Sequence, residues 1–389
     1  MTTEQSPGLG LTEEQRALRG LARDFAMKEV LPLANELDPV DGEIPLALRE
    51  RMAEIGFFGI MVPQEHGGLG LGVLEYCVIA EELSRAWMSV GSLIARGNGL
   101  YGGFSAEQRA EYLPRVSRGE FLAAIAISEA EAGSDVANIR CRATRTESGW
   151  VLDGTKMWCT FADGADYLVV FARTSPPSVP GRRHEGVSAF FVPKRRGEFP
   201  PGLTGTTVRK IGYRGWKTWE LAFDGLALPH DALLGTEGGA FRTAMEVLDV
   251  ARVHTAARAI GLARGALEDS LAYAATRRQF DSALADFQAI RFKLAGMAAE
   301  IEAARQLMYA VCREIDAGRR ASTQASMVKL LASEMAERVT SEGLQIHGGA
   351  GYTTDFAVER YWRDARLTKI FEGTSEIQLR VISDAMLGR

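Results

Sequence analysis

The chain has 389 residues, of which 46% are hydrophobic and 24% are charged, and its formal net charge at pH 7 is −5. This length can bury the cores of two or three domains, and a mildly acidic chain without a basic block is unlike proteins that bind nucleic acid non-specifically. The four cysteines form no C-x-x-C motif and the five histidines show no ligand spacing, so we expect neither disulfides nor a metal. We find no signal-peptide pattern and no apolar run of roughly 18 residues, and therefore expect a cytoplasmic protein without membrane spans.

Helical periodicity dominates the first part of the chain, up to about residue 122. Apolar residues recur at the spacing of one helix face. The pattern predicts four helices, over Glu13–Val30, Leu46–Ile55, Val73–Arg85 and Ala106–Val116. We therefore expect residues 1–122 to form an N-terminal helical domain.

Short β-rich runs separated by turn residues follow, and we expect residues 123–235 to form a middle β domain. The stretch from Pro176 to Pro201 holds six prolines, which indicates an exposed excursion between strands. Runs rich in β-branched and aromatic residues predict strands at Trp150–Leu152, Tyr167–Ala172, Val187–Val192 and Trp219–Phe223.

Proline placement predicts the structure of the remaining chain, residues 236–389. All thirteen prolines lie at or before Pro229, so long uninterrupted helices are permitted only after it. The apolar pattern predicts helices over about Met245–Arg277, Gln288–Ala317 and Ser322–Ile346, the last of them closing at two glycines. We expect a C-terminal helical bundle, and an α+β chain overall whose order is helical, then β, then helical.

One carboxylate stands out by its neighbours. Glu372 follows the apolar pair Ile370 and Phe371 and precedes Gly373. A carboxyl with apolar neighbours ionises reluctantly, which suits a general base, and the glycine leaves room for a substrate. An N-cap or a surface acid explains the same short string equally well.

Three separated clusters occur in the order found in one enzyme family. The first is AIAISEAEAGSD (Ala124–Asp135) together with KMWCT (Lys156–Thr160), which follows it. The second is RRQFDSALADFQAI (Arg277–Ile290), and the third is the long stretch from Gln345 to Gln378 that contains HGGAGY and FEGTSEIQ. Together they make essentially the whole chain resemble the acyl-CoA dehydrogenase family. The resemblance implies an N-terminal helical domain, a middle β-barrel-like domain and a C-terminal four-helix bundle.

The resemblance also implies FAD as the cofactor, which would accept hydride from the substrate. No Rossmann G-x-G-x-x-G follows a strand, so the dinucleotide needs another cradle. In the family pattern Ser128, Trp158 and Thr160 lie against the isoalloxazine ring, with Thr160 near its N5. The complete set implied to bind FAD is Ile125, Ile127, Ser128, Ser134, Trp158, Thr160, Arg277, Gln279, Gln288, Gln345, Gly348, Gly349, Thr374 and Glu376.

Without the resemblance, simpler interpretations would be favoured for several of these residues. Trp158 and Thr160 would be ordinary strand residues, with Trp158 in the core. Arg277 would be a solvated cation at a helix end, where the macrodipole favours it. The resemblance instead implies that some FAD contacts reach across from a neighbouring subunit, and we expect a homotetramer arranged as a dimer of dimers.

The chemistry implied by the resemblance is α,β-desaturation of an acyl-CoA thioester. Glu372 would remove the α proton, while its backbone N–H and a ribityl hydroxyl of FAD polarise the thioester carbonyl. Some relatives carry the base on the helix beginning near Leu248, but the matching residue here is Ala251, which cannot act. Electrons would pass to an electron-transfer flavoprotein, in fatty acid or amino acid catabolism.

Substrate contacts are implied for a second set of residues. Ser134, Asp249 and Arg252 match positions that contact the pantetheine arm, and Gly373 leaves room for the thioester. An i,i+3 surface ion pair explains Asp249 and Arg252 almost as well. Arg96 lies in the helical segment that floors the acyl pocket in the family. Pointing inward it could pair with a distal carboxylate, but the cost of a buried unpaired charge favours an outward side chain.

An alternative function keeps this fold and changes the chemistry. The chain would then be a flavin monooxygenase or oxidase, or a binding subunit without turnover, because one fold hosts many functions. The presence of Glu372 argues against this alternative.

Overall fold

The computed structural model describes residues 9–99, 101–179 and 181–388, apart from the side chains of residues 242–246. Its order of helices, sheet and helices is the predicted one. All four predicted N-terminal helices are present, and two short helices were not predicted. The N-terminal helices are α1 (Glu13–Phe25), α2 (Leu31–Leu37), α3 (Leu46–Glu54), α4 (Val73–Ala86), α5 (Met88–Leu93) and α6 (Ala106–Ser117).

The first helix begins at a capping box and ends at Phe25, and further helical turns continue past the predicted end at Val30. The Thr12 side chain accepts a hydrogen bond from the N–H of Gln15 (3.2 Å), and the Gln15 side chain accepts one from the N–H of Thr12 (3.0 Å). A π-helical turn, Ala26–Val30, leads from α1 directly into α2. The predicted end at Val30 was wrong, because Pro32 lies in the first turn of α2, where a missing N–H is tolerated.

The middle of the chain forms one eight-stranded sheet, in the order β6-β7-β3-β2-β4-β5-β8, with β1 pairing in parallel with β4. The four predicted strands are confirmed, whereas β1, β2, β6 and β8 were not predicted. The polar strand β2 buries only Ala143, so it carries little apolar signal. The strands are β1 (Ala123–Ala126), β2 (Arg142–Thr146), β3 (Gly149–Thr160), β4 (Tyr167–Arg173), β5 (Val187–Pro193), β6 (Leu203–Val208), β7 (Thr218–Leu228) and β8 (Leu233–Leu234).

Long helices make up the C-terminal part, as the absence of proline predicts. A small hairpin of β9 (Arg278–Gln279) and β10 (Ser282–Ala283) separates the first two helices. In the described part of the chain, no helix is long and apolar enough to cross a membrane. The helices are α7 (Ala240–Thr276), α8 (Gln288–Asp316), α9 (Ser322–His347), α10 (Val358–Thr368) and α11 (Ser375–Leu387).

The N-terminal and C-terminal helices share one hydrophobic core, while the sheet has a core of its own. Helix α4 lies at the centre of the shared core, since every residue in it except Glu75 is buried. A helix that is buried on all sides must pack against several others. Its polar residues therefore need partners inside the protein.

Those partners form a buried ion cluster between α4, α7 and α8. Both terminal nitrogens of Arg264 donate to the carboxylate of Glu82 (2.6 and 2.5 Å), which also accepts from Arg19 (2.9 Å). Arg305 donates to the neighbouring carboxylate of Glu81 (3.0 Å). Because these side chains come from distant parts of the sequence, the cluster fixes how the N-terminal helices dock on the C-terminal ones.

Acid is expected to weaken the fold through this cluster. Burial alone would raise the pKa of Glu82, but Arg264 and Arg19 outweigh burial and lower that pKa from 4.5 to about 2. A carboxyl with a depressed native pKa stabilises the fold above its unfolded pKa and loses that contribution as pH falls. We expect the urea midpoint of unfolding to fall between pH 4.5 and about 2. The urea midpoint should fall less steeply with pH in E82Q than in the wild type. An equally steep fall in E82Q would contradict the assignment of this acid sensitivity to Glu82.

Candidate active site

Glu372 lies on the short connection between α10 and α11 and has a left-handed backbone conformation, with φ of 53°. Such a conformation is uncommon for a residue with a side chain and occurs often at functional sites. The N-cap of α11 is Thr374, whose hydroxyl accepts from the N–H of Ile377 (3.3 Å). Glu372 is therefore not the helix cap, and 31% of its side chain is exposed.

Two polar side chains of α7 hold the Glu372 carboxylate. Arg258 Nη2 donates to Oε1 (2.7 Å), and the hydroxyl of Thr255 donates to Oε2 (2.5 Å). Of the two apolar residues that precede Glu372, Ile370 is exposed, whereas the ring of Phe371 packs against the guanidinium of Arg258. The two hydrogen bonds fix the orientation of the carboxylate.

Arg258 is itself part of a connected network. It is buried, donates to the hydroxyl of Ser92 (2.8 Å), and places its guanidinium carbon 4.6 Å from the ring centre of Phe371. Burial alone would lower the pKa of Arg258, but Glu372 outweighs burial and raises it. Arg258 was not predicted as a site residue, although a single arginine among the alanines of Thr255–Ile260 was a signal.

The loop that carries Glu372 is anchored through the carbonyl of Gly373. Lys329, which is buried in α9, donates to that carbonyl (2.6 Å), and the side-chain amide of Gln378 donates to it as well (2.9 Å). Burial lowers the pKa of Lys329 to about 8. Gly373 has φ of 90°, and a Cβ there would lie 2.5 Å from the Gln378 amide nitrogen, so the position requires glycine.

The two parts of the first sequence cluster meet where β1 and the loop after it lie beside β3. The N–H of Met157 donates to the carbonyl of Ser128 (2.8 Å), and the thiol of Cys159 donates to the carbonyl of Ile125 (3.0 Å). Ile127 and Thr160 are half-buried in the same region, and the hydroxyl of Thr160 contacts that of Thr218 (3.1 Å).

Trp158 does not belong to the core. Its side chain is 57% exposed and its φ is 64°, at an irregularity where β3 pairs with β7. The interpretation as a core strand residue was therefore wrong. A large indole held outward at a left-handed position presents a flat apolar face for a ligand.

Glu129, inside the first cluster, has a structural role that the sequence analysis missed. It is buried and accepts from the N–H groups of Arg140 (2.7 Å) and Cys141 (2.8 Å). The buried ammonium of Lys156 donates to it (2.8 Å) and to the carbonyl of Ile127 (2.9 Å). This pair ties the loop after β1 to β3 and so positions the exposed Trp158.

The residues predicted to hold the rest of FAD lie on two exposed segments. Arg277, Gln279 and Gln288 surround the β9–β10 hairpin, and Gln345 with the two glycines lies at the end of α9. None of the hydrogen bonds or ion pairs among the described residues joins the two segments. A Cβ added at Gly348 or Gly349 would meet no atom within 4 Å, so a ligand could approach this backbone closely. Thr374 and the exposed Glu376 lie beside Glu372.

Asp249 and Arg252 form the expected i,i+3 ion pair (3.0 Å), but both side chains are largely buried, so a surface pair was the wrong description. Ser322 also donates to Asp249 (2.8 Å). Ser134 is exposed and lies on the loop after β1.

Arg96 is buried, with a relative exposure of 9%, so the expectation that it points outward was wrong. Its guanidinium carbon lies 5.0 Å from the ring centre of Trp216 and 6.0 Å from that of Phe161. Stacking on two aromatic rings favours an inward arginine, and the sequence alone did not show these rings as its neighbours.

Comparison with known proteins places this site in a family. Three family models match the chain, described as the N-terminal domain of acyl-CoA dehydrogenase over residues 12–120, its middle domain over residues 124–226 and its C-terminal domain over residues 238–387. The (2S)-methylsuccinyl-CoA dehydrogenase of Cereibacter sphaeroides is 41% identical, over 97% of this chain and 70% of that protein.

Solved structures agree with these models. Butyryl-CoA dehydrogenase from Megasphaera elsdenii has a TM-score of 0.90 at 33% identity, covering 97% of this chain and 99% of that one. A chain described with the electron transferring flavoprotein of Acidaminococcus fermentans has a TM-score of 0.92 at 36% identity. The match covers 98% of this chain and 100% of that one. The chain is an FAD-dependent oxidoreductase. The chain belongs to the acyl-CoA dehydrogenase family.

The residues present fit FAD. The outward Trp158 offers a surface for the isoalloxazine ring, and the open backbone at Gly348 and Gly349 leaves room for a phosphate or ribose. Arg277 is exposed, and its guanidinium binds no described residue, so it is free to pair with an anion.

Proposed function

We propose that this enzyme oxidises an acyl-CoA thioester to the 2-enoyl-CoA and that Glu372 is its general base. The observation that carries the proposal is the Glu372 carboxylate, which is oriented by Arg258 and Thr255 on a left-handed turn and remains partly exposed. FAD, when bound, supplies the oxidant that takes the β hydrogen with its electron pair. Glu372 takes the α proton, which leaves a double bond between the two carbons.

The backbone around Glu372 supports a second role in the reaction. None of the hydrogen bonds of the described residues uses the N–H of Glu372, so it is free to donate to the thioester carbonyl. A donor placed where negative charge develops lowers the barrier to α-proton removal. The bonds from Lys329 and Gln378 to the carbonyl of Gly373 anchor the loop that carries this N–H.

Among the side chains of α7 that the structure describes, no second carboxylate competes for the role of base. Ala251 has no acid to offer, and its carbonyl accepts from Thr255. Asp249 is already bound to Arg252 and Ser322, which suits the proposed positioning of the pantetheine arm better than proton transfer. Ser134, on an exposed loop, is free to contact the same arm.

We also propose that the active form is a homotetramer in the cytoplasm which passes electrons to an electron-transfer flavoprotein. Two large side chains beside the proposed FAD residues support subunit contact, since Phe280 is 91% exposed and Tyr352 is 78% exposed in the single chain. In the proposed tetramer a neighbouring subunit would cover these two rings.

The proposed contact of Arg277 with FAD predicts that its substitution weakens FAD binding. R277Q removes a free guanidinium that we assign to an FAD phosphate, and the loss of one charge-assisted hydrogen bond should weaken FAD binding about 10- to 100-fold. The FAD dissociation constant, measured by flavin fluorescence after dialysis, checks this. R278Q is the matched control, because Arg278 already donates to the carbonyl of Asp281 (2.6 Å). Equal affinities in R277Q and the wild type would contradict the assignment.

Electron-acceptor assays test the proposed function. Enzyme reduced by an acyl-CoA should be reoxidised quickly by an electron-transfer flavoprotein and slowly by oxygen, with 2-enoyl-CoA as the product. Rapid oxygen consumption without transfer to that flavoprotein would establish the oxidase or monooxygenase alternative instead.

A further inference from the structure

Arg96 is a buried cation without an anion. It ends the short helical turn Ile94–Arg96 that follows α5, its Nε is fully enclosed without a partner, and no described residue accepts a hydrogen bond from its guanidinium. Other buried arginines described above, such as Arg258 and Arg264, each face a carboxylate. Arg96 is the exception among them.

The groups around Arg96 do not neutralise its charge. Trp216 and Phe161 supply aromatic faces, and two cation–π contacts do not compensate for the desolvation of a guanidinium. The buried imidazole of His254 is also close enough to be affected, because burial, Arg258 and Arg96 together lower the pKa of His254. His254 is therefore neutral at pH 7 and offers no charge to balance the arginine.

Two chains of contacts connect Arg96 to the catalytic carboxylate. Along the aromatic side, Trp216 packs edge-on against Tyr213 (5.2 Å between ring centres), which packs edge-on against Phe371 (5.8 Å), the residue before Glu372. Along the helical side, Ser92 is one turn before Arg96.

Ser92 links Arg96 to Glu372 along the helical side, because its hydroxyl accepts a hydrogen bond from Arg258, and Arg258 binds Glu372. Burial raises the pKa of Tyr213, while Arg96 acts to lower it and Glu372 acts to raise it, so the unpaired guanidinium and the proposed base both lie close to this side chain.

We propose that the acyl group of the substrate ends in a carboxylate and that Arg96 is its counter-charge. The inference rests on the proposed function and names the substrate class of that same site, which is dicarboxylic acyl-CoA monothioesters. The distal carboxylate pairs with the Arg96 guanidinium between the Trp216 and Phe161 rings. An uncharged acyl chain leaves the guanidinium desolvated and unpaired, so it binds less well.

Matched pairs of thioesters test this proposal on the wild-type holoenzyme. Each dicarboxylic monothioester is compared with the straight-chain acyl-CoA of equal carbon number, such as glutaryl-CoA with pentanoyl-CoA, by the rate of flavin bleaching and by the dissociation constant. We expect the dicarboxylic member to be favoured about 10- to 100-fold at its best chain length, as for one charge-assisted bond. A preference for the uncharged member at every length would overturn the proposal.

Variants separate Arg96 from the rest of the pocket. In R96Q the preference for the dicarboxylic over the uncharged thioester, measured by the rate of flavin bleaching and by the dissociation constant, should fall about 10- to 100-fold. R96K should restore part of this preference. R118Q is the control, because Arg118 is an exposed arginine of the same domain that pairs with Glu120 (2.9 Å), and its ratio should match the wild type. An unchanged ratio in R96Q would overturn the assignment to Arg96.

The proposed function and this inference fail in different ways. If no thioester of either kind bleaches the flavin, the dehydrogenase proposal is wrong, and the ratio of dissociation constants alone decides the role of Arg96. If only uncharged thioesters bleach it, the dehydrogenase proposal stands and the dicarboxylic proposal is wrong. If R96Q does not fold, the wild-type comparison still decides the substrate class.

Discussion

E372Q should bind FAD and fail to reduce it with acyl-CoA. Glutamine keeps the size of the side chain and can still accept from Thr255, but it cannot take the α proton. General-base catalysis contributes about 10²- to 10⁴-fold, so the rate of flavin reduction in an anaerobic stopped-flow experiment should fall by that factor. The flavin absorbance of the purified variant shows whether the cofactor is retained.

A matched substitution separates chemistry from folding. E314Q removes a surface carboxylate that pairs with Arg319 (2.8 Å) at the end of α8, so flavin reduction by this variant should equal that of the wild type. E372Q also leaves Arg258 as a buried cation, so some loss of thermal stability is expected alongside the loss of rate. Bleaching by folded E372Q at the wild-type rate would remove Glu372 as the base.

R264M should cause the largest loss of stability. It leaves the buried carboxylates of Glu81 and Glu82 short of their shared cation, and breaking a buried pair by removing one partner costs about 3–5 kcal/mol. The free energy of unfolding, measured by urea denaturation with circular dichroism, checks this value.

The control for R264M is an exposed pair in the same helical region. Arg338 donates to Glu300 (2.6 Å) with both side chains exposed, and such pairs contribute only about 0–1 kcal/mol. R338M should therefore unfold close to the wild type. If R264M and R338M lost equal stability, the cluster would not hold the two helical regions together.

Much of the fold could be predicted from sequence because its signals are local. Helices α4, α8 and α9 follow from apolar periodicity and the distribution of proline. Strands such as β2 were missed because they are polar and are stabilised by pairing with β3, a long-range partner that the local pattern does not show. The join between α1 and α2 was missed because a π-helical turn carries no apolar signature of its own.

The site was less predictable because its contacts are long-range. Glu372 was found from its motif, but its partner Arg258 is 114 residues away in sequence. Arg96 was expected to point outward because burial of a lone charge is costly, and the rings of Phe161 and Trp216 that line it come from another domain. Trp158 was recognised only through the family resemblance, since a local pattern does not reveal that the irregular pairing of β3 with β7 leaves its side chain exposed.

Anaerobic titration of the purified holoenzyme with matched acyl-CoA thioesters tests the central claim most directly. We predict stoichiometric loss of the oxidised flavin absorbance with formation of 2-enoyl-CoA, strongest for thioesters whose acyl chain ends in a carboxylate. A protein that holds FAD and keeps its full oxidised spectrum with every thioester would contradict acyl-CoA dehydrogenation at Glu372.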